Sequence, residues 1–174
     1  FRAALDAGKT IVGLEPSCTL MFRDEAVNLI REWTEAHSAQ ILTFAEYIMQ
    51  NPPTGLDMSA LDVLVHGHCH QKAMGVAQYT VDAVKSVLGA NAQMIDSSCC
   101  GMAGSFGYQI ETAEVSRQMA ELSLAPTVRA APTDTIVLAD GFSCRCQIKD
   151  VTERKAMNLA LLMDKALQDH VTNY

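Results

Sequence analysis

The chain lacks any long hydrophobic run. Its best apolar stretch, "MNLALLM", falls far short of the roughly 18–20 residues that cross a bilayer, and its pattern is that of a helix face. No secretory signal is visible. Positive charge is also scarce: 13 Lys and Arg stand against 20 Asp and Glu, a formal charge of −7. That balance excludes nucleic acid as a partner, because its phosphates would be repelled. No G-x-G-x-x-G fingerprint appears; the only glycine triplet, Gly101, Gly104 and Gly107, has the wrong spacing. Low-complexity segments and a second domain are missing as well. So is an initiator Met: "FRAALDAG" opens partway through a helix–strand unit, which leads us to expect a piece of a longer protein. A processed N-terminus or a trimmed chain would look the same.

What is present suits one domain. At 174 residues, 49% hydrophobic and 19% charged, the chain can bury most of its apolar surface. A core of this size needs no disulfide staples, so the six cysteines point to a reducing compartment with thiols kept for chemistry. Periodicity predicts a helix ending at Gly8, a strand over Thr10–Leu14, and helices over Asp24–His37 and Thr43–Met49, the latter stopped by "NPPTG". A strand over Leu61–Val65 then leads to a helix over Gln71–Leu88 closed by Gly89. After a strand at Ala92–Ile95 come a helix over Tyr108–Leu124 and a loop, "APTVRAAPTD". A strand over Thr135–Ala139 and a helix over Glu153–His170 complete the reading. Short apolar strands alternating with helices predict an α/β fold, a mostly parallel sheet with helices packed on it.

Placed on that reading, the cysteines acquire a pattern. Cys18, Cys69, the pair Cys99–Cys100, and Cys144 with Cys146 each fall just past one of four strands. In a parallel sheet all carboxyl ends lie on one edge, where α/β proteins hold their ligands. Cysteines distant in sequence should therefore meet on one rim. Soft thiolates at convergent positions suit zinc or an iron–sulfur cluster. The vicinal pair favours the cluster, since neighbouring side chains diverge and rarely share one ion, while a disulfide between them would be strained. The glycines of "CCGMAGSFG" would let backbone N–H groups approach sulfur and open a helix whose dipole favours negative charge. The bland reading is a tight loop beside two cysteines that act as small hydrophobes.

"HCHQ", "CCGMAGSFG" and "GFSCRCQI" together resemble the cysteine-rich CCG domain of iron–sulfur oxidoreductases, and the likeness covers most of the chain, from "LEPSC" to "GFSCRCQI". The wording is most similar to the C-terminal iron–sulfur part of FAD-linked 2-hydroxy-acid dehydrogenases of the D-lactate and D-2-hydroxyglutarate type. The resemblance implies one cysteine-rich domain over residues 1–174, with Cys69, Cys99, Cys100 and Cys144 as the ligands of one repeat. Cys18 resembles the closing cysteine of a preceding repeat. The closing motif here is C-x-C rather than C-x-x-C, which puts Cys146 in doubt. Gly101, Gly104, His68 and His70 are the expected cofactor-lining residues. A 4Fe-4S type cluster is implied on this chain, one that an isolated fragment could lose, with FAD on another part of the parent polypeptide. The implied function is electron transfer from that flavin-binding part to a quinone or redox-protein acceptor. Substrate turnover would require the parent. The implied location is the cytoplasm, or the periphery of the inner face of the membrane.

Two other classes remain open. His66 and His68 form an H-x-H at a strand end, and with Glu15, Asp96 and Asp140 they could build a zinc hydrolase. Against this, each such loop also offers a cysteine that hydrolysis seldom needs; histidines that bond the loop or line a cluster are the simpler reading. Alternatively Cys99, at a helix N-terminus, could act in metal-free disulfide exchange. Arg23 and Arg145 could offset cluster charge or hold a carboxylate, although pairing with a nearby acid is the commoner role. Met21, Met74, Met102, Met119 and Trp33 need no role beyond the core.

Overall fold

A computed structural model of the chain describes residues 1–172; the last two positions of the expected domain span lie outside the described residues. In chain order the elements are α1 (Arg2–Asp6), β1 (Ile11–Gly13), α2 (Pro16–Met21), α3 (Ala26–Leu29), α4 (Glu35–Ser38), β2 (Ile41–Thr43) and α5 (Phe44–Gln50). The second half follows as β3 (Asp62–Val65), α6 (Cys69–Ala73), α7 (Gln78–Ser86), β4 (Asn91–Met94), a 3-10 turn at Phe106–Tyr108, α8 (Ala113–Glu121), α9 (Leu124–Ala130), β5 (Ile136–Leu138), α10 (Phe142–Thr152), β6 (Ala156–Met157) and α11 (Leu159–Thr172).

The fold is α/β, and among the described residues every strand pairing is parallel, but the strands form two sheets rather than one. The larger has the order β4-β3-β5-β6, and a separate pair joins β1 to β2. The strand before Cys18 thus does not enter the sheet that carries the other cysteines. In the larger sheet, β3 lies between β4 and β5, with Val65 opposite Met94 on one side and Leu138 on the other. Three consecutive turns therefore leave one edge side by side. That register positions the site.

Several elements depart from the expected boundaries, each for a local reason. The helix foreseen over Asp24–His37 is broken into α3 and α4: Glu32 takes a positive φ of 63°, and Thr34 restarts the chain with a capping box to His37. β2 is an extra strand, hidden because its last residue, Thr43, is also the N-cap of α5, where it is paired with Glu46. The helix foreseen over Gln71–Leu88 is two, separated at Gly75 with φ of 70°. Helix α9 occupies much of "APTVRAAPTD", and α10 occupies the stretch carrying Cys144 and Cys146, so the terminal helix begins only at Leu159.

One core cluster packs α5, α7 and α11 against the sheet through residues such as Val63, Val84, Leu88, Leu138 and Leu162. Fully burying each such side chain contributes about 1.5–3 kcal/mol. A second cluster, on the other face, combines Ile95, Val137 and Ile148 with Cys100 and Cys144. Trp33 sits in a third, small core with Leu5, Ala26 and Ile41. No helix among the described residues is long and apolar enough to cross a membrane.

Candidate metal centre

The carboxyl ends of β4, β3 and β5 deliver Cys99–Cys100, Cys69 and Cys144 to one place. Cys69 interacts with Cys99, Cys99 with Cys100, and Cys100 with Cys144. Cys100 and Cys144 are buried, Cys99 is half-buried, and Cys69 is exposed, so the run of sulfur leads from the interior to solvent. Next to the deep end stands His66, with one ring nitrogen within 4.8 Å of both the Cys100 and Cys144 sulfurs.

Crowded sulfurs cannot all ionise. Interaction with Cys100, followed by that with His66, lowers the Cys144 thiol from 9.0 to about 5. Cys99 is likewise depressed, first by Cys100 and Cys69 and then by the Gly101 N–H, which donates to its Sγ at 3.3 Å. Cys100 is pushed up by Cys144, and Cys69 by Cys99. Hydrogen bonding between neighbouring sulfurs, a thiol donating to a thiolate, accounts first for the split. The cluster favours two thiolates and two thiols. Lys72 faces this charge: its Nζ donates to Ser97 O and, at 3.2 Å, to Ser98 O, and it is attracted by Cys144, Cys69 and Cys99. One turn after Cys69, it ties α6 to the loop carrying the vicinal pair.

The glycines act differently from one another. A Cβ on Gly101 would stand 2.2 Å from Ser116 O, and its φ is +93°, so both space and backbone require glycine. Gly104 has open space around it and needs glycine only for its φ of +65°. The loop does not open a helix directly as expected; α8 starts only at Ala113, and the helices that begin near the sulfurs are α6 and α10. Sequence reasoning missed Gly141, where a Cβ would meet His68 at 2.6 Å and the Cys144 sulfur at 3.0 Å.

The remaining expected residues have other partners, although His68 also stands beside Cys144 across Gly141. Cys18 is exposed, and Glu15 is the one charged group that perturbs its thiol, already raised by burial. Its helix still touches the site, since Ser17 Oγ lies 3.1 Å from His68 Nε2. Cys146 follows Cys144 by two positions on α10, about 200° around the axis, and interacts with Tyr108 instead. His68 has both ring nitrogens engaged, by Ser17 and by the His70 N–H. His70 turns away to Asp24, 3.5 Å from its carboxylate. Arg23 Nη1 donates to both carboxylate oxygens of buried Glu46, at 2.8 and 2.7 Å. Arg145 caps the end of β5 through Ala139 O and Asp140 O.

Two of the three carboxylates considered for a hydrolytic zinc are engaged by other groups. Asp140 accepts from Gln71, Thr80 and the Leu159 N–H. Glu15 caps α2 and accepts from the Phe142 N–H. Convergent thiols, a buried imidazole nitrogen with no well-formed hydrogen bond and a loop without room for a Cβ at Gly101 fit a metal–sulfur centre.

Comparison with known proteins finds dehydrogenases. The chain is similar to the D-2-hydroxyglutarate dehydrogenase of Pseudomonas putida, 30% identical over 155 residues, covering 88% of this chain and 15% of that protein. It is 30% identical over 148 residues to the Escherichia coli protein of the same name, covering 83% of this chain and 14% of that one. It is also similar to one subunit of the anaerobic glycerol-3-phosphate dehydrogenase of Escherichia coli, 25% identical over 166 residues, 92% of this chain and 41% of that protein. The chain thus spans between about a seventh and two fifths of the length of these relatives. No family model matches, and no solved structure matches. The relatives are dehydrogenases, and the similarity is to a part of each.

Proposed function

We propose that this chain is the iron–sulfur electron-transfer domain of a flavin-dependent 2-hydroxy-acid dehydrogenase, a cysteine-rich CCG domain within a longer flavoprotein. The observation that carries the reading is the unbroken run of Cys69, Cys99, Cys100 and Cys144 at adjacent carboxyl ends of one sheet. The dehydrogenase relatives support the oxidoreductase part of it. In this reading the chain is part of an oxidoreductase and does not turn over substrate alone. Electrons come from a flavin-binding part of the same polypeptide and leave to a quinone or redox protein, in the cytoplasm or at the membrane's inner face.

A bound cluster supplies one-electron redox chemistry, and the four cysteines would hold it. The chain's own residues set the conditions. Gly101 brings its N–H onto the Cys99 sulfur, which stabilises negative charge there. Lys72 places a cation against the same charge. Burial of Cys100 and Cys144 keeps water from the inner sulfurs, while exposed Cys69 leaves an outer edge near the surface for electron exit.

A second reading has one observation in its favour: Cys69 and Cys99, one raised and one depressed, are neighbours, as a disulfide-exchange pair would be. Anaerobic reconstitution with iron and sulfide, followed by metal and sulfide analysis and electron paramagnetic resonance, separates the two. Stoichiometric iron and sulfide with a paramagnetic reduced state is the expected result. No iron uptake, together with a reversible Cys69–Cys99 disulfide, would replace it with the second.

A further inference from the structure

We infer that His66, through Nε2, is a ligand of the metal centre alongside the cysteines. The inference rests on reading this site as a metal centre, and it assigns a donor that neither His68 nor His70 can provide. His66 directly follows β3, and its backbone N–H donates to Leu138 O at 2.8 Å, so the sheet fixes its position. The residue is 1% exposed. Its Nδ1 lies 3.0 Å from Ser97 Oγ, while Nε2 is buried with no well-formed hydrogen bond, the Cys144 thiol being a further group that interacts with the ring.

A buried nitrogen without a well-formed hydrogen bond costs stability, and native folds seldom tolerate one without a use. Here the imidazole shares its surroundings with two sulfurs: a ring nitrogen and the Sγ atoms of Cys100 and Cys144 all lie within 4.8 Å of one another. Three donors at such mutual distances surround a common point. The Ser97 contact completes the arrangement. With Nδ1–H donating to Ser97 Oγ, Nε2 keeps its lone pair, the tautomer that metal-bound histidines adopt when an oxygen accepts from the other nitrogen. The other two histidines of "HGHCH" lack this freedom, because His68 is bonded at both nitrogens and His70 faces Asp24. A neutral imidazole among the thiolate donors would raise the reduction potential, since it adds no negative charge to the centre.

The test uses cobalt(II) alone first, added anaerobically to the reduced chain without sulfide, for wild type and His66→Gln. The expected result is a visible spectrum of mixed sulfur and nitrogen ligation in wild type. In His66→Gln the bands shift and affinity falls about tenfold or more. The same chain, labelled with nitrogen-15 histidine and loaded with iron and sulfide, should show strong nitrogen hyperfine coupling in pulsed electron paramagnetic resonance. Because that readout uses unaltered protein, it does not depend on the variant folding. Identical cobalt spectra and affinities in the two proteins, or only weak coupling of the kind a hydrogen-bonded amide gives, would overturn the assignment. Cobalt bound through imidazole without iron and sulfide uptake would leave His66 as a ligand and sink the electron-transfer reading. An iron–sulfur centre without imidazole coupling would do the reverse.

Discussion

At the scale of single residues, the site depends on groups that hold sulfur atoms close without letting them repel the loop apart. Gly101 is the sharpest case. Gly101→Ala would press a methyl group onto Ser116 O and force a positive φ, and should cost about 3 kcal/mol in urea unfolding, with iron loading lost. Gly104→Ala meets nothing and should cost only about 1 kcal/mol, the penalty of a left-handed backbone, with loading retained. Equal effects of the two would contradict the close approach at Gly101. Lys72 is the counterpart in charge. Lys72→Met should lower the midpoint potential of the reconstituted centre, because a reduced, more negative state loses its nearby cation. Lys72→Arg should leave it nearly unchanged. A potentiometric titration that finds wild type and Lys72→Met alike would reduce Lys72 to a tether for the Ser97–Ser98 carbonyls.

At the scale of elements, what was legible in the sequence is what periodicity and chain punctuation report. Strand–turn–cysteine units at β3, β4 and β5 could be read, and with them the rim on which Cys69, Cys99, Cys100 and Cys144 gather. Helix breaks were hidden because the apolar spacing runs on through Glu32 and Gly75, where backbone conformation rather than hydrophobicity ends the helix. The separate β1–β2 pair was illegible because β2 is three residues long and merges into the cap of α5. His66 was read together with its two neighbours, as a zinc ligand or a loop-bonding residue, and not singled out, since only tertiary contacts tell the three imidazoles apart. The pairing of Arg23 with Glu46 joins the segment after α2 to α5 and also reaches Thr43, whose N–H and hydroxyl donate to the same carboxylate. Removing one partner of so buried a pair leaves an uncompensated charge. Arg23→Met should therefore destabilise the chain by about 3–5 kcal/mol, seen as an earlier urea midpoint, with little effect on iron loading. A change below about 1 kcal/mol would mean that Glu46 finds another partner.

At the scale of the whole molecule, gathering four thiols on one edge makes stability depend on pH when metal is absent. Cys99 and Cys144 ionise in the fold while the unfolded chain still keeps their protons; their stabilisation is complete above the ordinary thiol value of 9.0 and is lost as pH falls through about 5 for Cys144. Cys69 and Cys100 act oppositely, stabilising below that value and losing the contribution as pH rises beyond it. The melting temperature of the reduced, metal-free chain should climb from about pH 5 towards 8 and decline above about 9, with the acid limb flattened in Cys144→Ser. A flat profile in the unaltered chain would contradict the thiol coupling. The most direct test of the account is the iron and sulfide content of the single cysteine-to-serine variants, one for each cysteine, after anaerobic reconstitution. Loading should be lost at Cys69, Cys99, Cys100 and Cys144 and kept at Cys18 and Cys146. Loading that survives substitution within the four, or that fails only when Cys18 or Cys146 is changed, would contradict a single centre held on the rim of the four-stranded sheet.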